Sequence, residues 1–94
     1  MVYLVTFNGS HPTDHRNIIA AIQQFEETIA ISQYCYAIST DKTAKQVLHV
    51  IEPIPGKTSI YVLGVCKPVE GDGDFIAGYG DKVSHTRQWL DSHM

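Results

Sequence analysis

The chain carries little positive charge. Seven Lys and Arg stand against ten Asp and Glu, a formal charge of −3 over 94 residues. A general grip on nucleic acid phosphates needs the opposite sign, so any nucleic acid contact must be local or made by an assembly. Cysteine is scarce. Cys35 and Cys66 lie in strand-like runs and read as small buried hydrophobes, with no base beside Cys35 to make it a nucleophile. The N-terminus lacks the basic and apolar regions of a signal peptide. No apolar run approaches the roughly 18–20 residues that span a membrane. A reducing cytoplasm and no membrane partner are expected. Phosphate-binding glycine motifs and a nucleophile elbow are also missing, and no internal repeat or coiled-coil heptad is seen.

At 44% hydrophobic and 18% charged, the sequence is that of a globular chain. A single domain of this size buries roughly 60–65% of its unfolded surface, so its core is thin. We expect one domain over 1–94, with a core at 1–68 and a C-terminal loop and helix at 69–94.

The first strand spans 2–8. Tyr3, Val5 and Phe7 fall on one face and Val2 and Leu4 on the other, the pattern of a strand buried on both sides. Gly9 to Pro12 reads as a turn. A helix follows over 14–26, capped by Thr13 or Asp14, with Ile18, Ala21, Ile22 and Phe25 on one face. Residues 28–40 are rich in strand formers and read as two strands, 28–32 and 34–39, with a turn at Ser32-Gln33; one long bent strand is the alternative. Thr40 or Asp41 caps a second helix with Ala44, Val47, Leu48 and Ile51 as its stripe, ended by Pro53, Pro55 and Gly56. Residues 59–66 make the last strand, with Ile60 and Val62 on one face and Tyr61, Leu63 and Val65 on the other. Glu70, Asp72 and Asp74 alternate with glycine like a fragment of a calcium loop that lacks the terminal glutamate, and read as an acidic loop. A helix over 81–92 places Val83, Trp89 and Leu90 on its apolar side.

Strand, helix, two strands, helix, strand is the split βαβ arrangement. It predicts an α+β, ferredoxin-like βαββαβ sandwich with antiparallel sheet order 4-1-3-2 and both helices on one face. Two helices cover only one face, yet the strands carry apolar side chains on both. Soluble monomers rarely expose so large an apolar patch. Either the tail 69–94 folds over it, or a second copy does; a homodimer through the second sheet face is the expectation.

One sheet edge gathers the polar residues. Asn8, Ser10, His11, Asp14 and His15 meet the turn at Tyr34 and the start of the last strand there. His11 and His15 could move protons near neutral pH, and Asp14 with His15 could hold a divalent cation. The plain alternative is that Ser10, Thr13 and Asp14 are turn and cap residues and that the histidines are solvated. His49, His85 and His93 each stand alone on expected helices and read as surface or core filling.

Tyr3-Leu4-Val5-Thr6-Phe7-Asn8 resembles the opening strand of small proteins similar to CRISPR-associated protein 2, including the SinR-family group. Tyr36-Ala37-Ile38-Ser39-Thr40, Ser59-Ile60-Tyr61-Val62-Leu63-Gly64-Val65 and Gln88-Trp89-Leu90 extend the resemblance across most of the chain. It implies a ferredoxin-like homodimer. In that family an aspartate closes the first strand, and the pair from two protomers is associated with a divalent metal and phosphodiester cleavage; some relatives act as adaptors or in toxin–antitoxin pairs. Here the matching residue is Asn8. A neutral amide neither compensates Mg²⁺ nor strongly lowers the pKa of its water. The expectation is therefore a non-catalytic dimeric adaptor or antitoxin-like module with a protein or nucleic acid partner and no cofactor. The alternative is a metal-dependent endonuclease, with Mg²⁺ and with Asn8, His11, Asp14 and His15 at its site. A small-ligand binding domain rests on fold analogy alone.

Overall fold

The computed structural model describes residues 1–8, 12–52, 59–66 and 83–94, with the Val83 side chain outside that set. The elements in chain order are β1 (Val2–Asn8), α1 (Pro12–Ile22), β2 (Glu27–Ser32), β3 (Cys35–Ser39), α2 (Ala44–Ile51), β4 (Ser59–Val65) and α3 (Val83–His93). The four strands form one sheet in the order β2-β3-β1-β4, antiparallel at every described pairing. This is the expected ferredoxin-like α+β fold with an added C-terminal helix.

β1 is central because both neighbours pair with it along its length. Val5 faces Tyr36 of β3 and Val62 of β4 in the register. Its side chains alternate between two cores, as a strand buried on both faces must. Tyr3, Val5 and Phe7 pack with Ile38, with Ile18 and Ile22 of α1, and with Val47 and Ile51 of α2. Both helices therefore sit on one side. Each fully buried Ile or Val there contributes about 1.5–3 kcal/mol of transfer free energy. The Tyr3 hydroxyl completes the layer, donating to the Lys42 carbonyl at 2.7 Å just before α2.

Several boundaries move. α1 stops at Ile22, not at residue 26. Its last carbonyls take tightened bonds, Gln24 N–H donating to Ala21 and Phe25 N–H to Ile22, which unwinds the chain in one turn. Phe25 still packs on the first core, from that turn. α1 begins at Pro12, so Asp14 lies in its first turn and neither Thr13 nor Asp14 is its cap. Pro suits a first helical position, where its missing N–H has no partner to lose. The cap of α2 is Thr43, not Thr40 or Asp41. Gln46 N–H donates to Thr43 Oγ1 at 3.2 Å, and Thr43 N–H donates to Gln46 Oε1 at 2.9 Å. This reciprocal pair satisfies two otherwise orphaned donors and outcompetes the earlier candidates, which have no such partner three residues on. Residues 28–40 do form two strands. Tyr34 falls in the turn between them, and β2 carries an irregularity between Ala30 and Ser32.

The second face is half covered. Leu90 of α3 is buried with Val2, Ile29 and Ala37, and Leu4, Val65, Trp89 and Met94 pack around them. Of the two expected covers, the terminal helix is present over one end, and Tyr61 and Leu63 on the rest of the face are exposed. The expected strand end at Cys66 and the acidic stretch of Glu70, Asp72 and Asp74 bear less on this. β4 ends at Val65, and the acidic stretch lies outside the described residues.

Candidate functional site

The C-terminal end of β1 does collect polar and aromatic groups. Asn8 pairs in register with Ser59 of β4, and the Phe7 N–H donates to the Tyr34 carbonyl at 3.1 Å. The His15 ring lies 5.3 Å from Phe7 and 5.3 Å from Tyr34, the latter edge-on. Phe7 also meets Tyr34 at 6.3 Å and Tyr36 at 6.2 Å. Such rings are mutually stabilising by about 0.5–1.5 kcal/mol per pair.

The sheet separates the residues that the sequence groups together. Phe7 points into the helix layer, where His15 packs against it. Asn8 is the next residue of the strand, so its side chain belongs to the opposite face, with Thr6 and Leu4. Asn8 and the His15 and Asp14 turn of α1 are thus parted by the strand itself. His11 and Ser10 lie outside the described residues. His15 Nδ1 is enclosed and has no hydrogen-bond partner among the described residues. Enclosure withholds Nδ1, though not Nε2, from a substrate proton, and leaving Nδ1 unpaired costs about 1–3 kcal/mol beside favourable aromatic contacts.

Among the described residues, Asn8 and Asp14 do not meet to form one donor set for a divalent cation. Asn8 offers a neutral carbonyl, and the carboxylate of Asp14 is on the far side of the strand. Among the described residues, no three His, Cys, Asp or Glu side chains gather closely enough to hold a metal ion. An open cavity of about 390 Å³ lies at the other end of the sheet, where Met1, Glu26, Glu27, Thr40 and Asp41 contribute to its lining. It shares no residue with the Asn8 end.

On Asn8's own face the open half carries Thr6, Tyr61 and Leu63, cross-strand neighbours in the β1–β4 register. Tyr61 is 66% exposed and Leu63 52%. Leu4 and Cys35 border them, and none of these side chains carries a formal charge when Cys35 is a thiol. Cys35 is half-buried, and burial raises its thiol pKa above the usual value. The second cysteine departs from the expectation of burial: Cys66 lies just past the end of β4 and is exposed. An aromatic disulfide reagent at about pH 7.5 should modify Cys66 first and Cys35 at least about tenfold more slowly, since only thiolate attacks. Equal rates in the folded protein would contradict the placement of Cys35.

Sequence reading brings the turn at Tyr34 to the edge that holds His15, and the two rings do meet there. It does not find a second contact. His93 reads as surface or core filling, yet it meets Glu27 across the fold at 3.2 Å. The spacing of Trp89 and His93 signals the first half of that contact, and nothing local signals Glu27.

No protein-family model matches the chain, and comparison with curated proteins and with solved structures gives no significant match. Among the described residues, no helix is long and apolar enough to cross a membrane.

Proposed function

We propose that this chain is a homodimeric, non-catalytic binding module of the adaptor or antitoxin-like kind, resembling the CRISPR-associated protein 2 group in plan and lacking its metal chemistry. One observation carries the reading: Tyr61 and Leu63 stand exposed on an uncharged, mostly apolar half of the sheet that α3 leaves open. An uncharged patch has nothing to attract phosphates, and a twofold lets it bury itself against its own copy. Asn8 lies on the same face, so two copies meeting there bring two neutral amides near each other where a nuclease of the resembled group has two carboxylates. Asp14 and His15 supply no replacement, being on the helix side.

The purified chain, incubated with labelled RNA and DNA in Mg²⁺ or Mn²⁺, is expected to leave both intact to within the level of a chelator control. Cleavage that chelator stops and Asp14→Ala abolishes would establish the nuclease reading in its place.

A further inference from the structure

The end of α3 holds a histidine in an arrangement that one protonation state alone satisfies. His93 Nδ1 lies 2.7 Å from the Trp89 carbonyl oxygen, one helical turn back. His93 Nε2 lies 3.2 Å from Oε2 of Glu27, the first residue of β2. A carbonyl oxygen only accepts hydrogen bonds, and so does an ionised carboxylate. A neutral imidazole has one N–H and one lone pair, so one of the two contacts must then set lone pair against lone pair. The imidazolium has two N–H groups and satisfies both. Two further features favour the cation. The ring stacks on Trp89 with centroids 4.1 Å apart and planes 20° from parallel, a geometry in which a cation is attracted to the indole face. It also sits in the last turn of an 11-residue helix, at the negative end of the dipole.

We propose that His93 acts as an imidazolium clasp that fastens α3 to β2 through Glu27, making the cover over the second sheet face proton-dependent. The consequence follows from what α3 covers. Leu90 is buried against Val2, Ile29 and Ala37, and the clasp lies one turn beyond it. Release of the clasp frees the end of the helix and uncovers apolar surface continuous with the open half around Leu4. Among the described ionisable groups on the elements packed against α3, Glu27 is the one in contact with the ring. Cys35 of β3 and Tyr61 of β4 lie on the same face, and the Met1 ammonium donates to the Thr40 carbonyl at 3.3 Å. Arg87 and Asp91 of α3 each have a partner as well. Only the two-donor ring satisfies both acceptors, so docking is expected to be stronger in acid than in base.

The chain's single tryptophan is Trp89, so its fluorescence reports on α3 alone. Acrylamide quenching is measured on the intact chain at about pH 5.5 and about pH 8, either side of the histidine range, with far-UV circular dichroism confirming the fold. The wild-type quenching constant is expected to rise about twofold at the higher pH as Trp89 becomes accessible. His93→Ala should be highly quenched at both. Glu27→Gln is the discriminating variant: its amide can donate to the lone pair of neutral His93, so it should stay protected at both pH values. A wild-type constant that is the same at both, or a Glu27→Gln chain as pH-dependent as wild type, overturns the proposal.

Discussion

Replacing Ile38 with alanine is expected to lower the free energy of unfolding by about 3–4 kcal/mol, the upper half of the range for large-to-small changes in a core. Ile38 is fully buried on β3, opposite Tyr3 of β1 and Thr28 of β2, and faces both helices across the first core. The lost methyl groups account for about half of the effect and the cavity for the rest, because neighbours on two paired strands cannot relax into the space. A domain of this length has about 5–10 kcal/mol in total, so the variant should lose a large share of its denaturant resistance with little change in the slope of the transition. Leu90→Ala, in the thinner second core, should cost less, since α3 can shift on a face that is only half packed. A chemical denaturation series on the two variants measures both. Equal losses would mean that the second core is as tightly built as the first.

The second large effect concerns association. Leu63→Lys is expected to weaken self-association at least about a hundredfold, or about 2.7 kcal/mol. The residue is exposed in the single chain, so the substitution should change unfolding of the isolated protomer by about 0.5 kcal/mol or less. Across a twofold it counts twice, placing two ammonium groups in a patch with no acidic partner among the described residues that line it. Tyr61→Ala should act in the same direction, since large aromatic side chains anchor interfaces of this kind. Sedimentation across a concentration series separates these effects from unfolding, because each variant's far-UV spectrum stays that of the wild type. Variants that associate as tightly as the wild type would remove this half-face from the interface.

Much of this fold was legible in the chain itself. The double-sided apolar pattern of Val2 to Phe7 identifies β1 as central, and the order of elements fixes a sheet order of 4-1-3-2. The faces of β4 follow from period two alone, which is why Tyr61 and Leu63 could be placed opposite Ile60 and Val62. Helix limits were less legible, because they turn on single hydrogen bonds. The reciprocal pairing of Thr43 with Gln46 decides where α2 begins, and the tight bonds at Ile22 decide where α1 ends. The candidate site was half legible. Proximity at the end of β1 could be read from topology, since Asn8, Tyr34 and Ser59 do converge there. Which side of the sheet each side chain occupies could not be read from proximity, and that is what divides Asn8 from His15. The clasp between His93 and Glu27 joins residues 66 apart in the chain, and no local pattern encodes such a pair.

The central claim is that the open half of the second sheet face joins two copies of the chain. Sedimentation equilibrium at low micromolar concentration tests it most directly. The account predicts a mass of about 21 kDa, twice the 10.5 kDa of the chain, falling toward the single-chain value with Leu63→Lys. A wild-type chain that sediments only at 10.5 kDa across that range contradicts it.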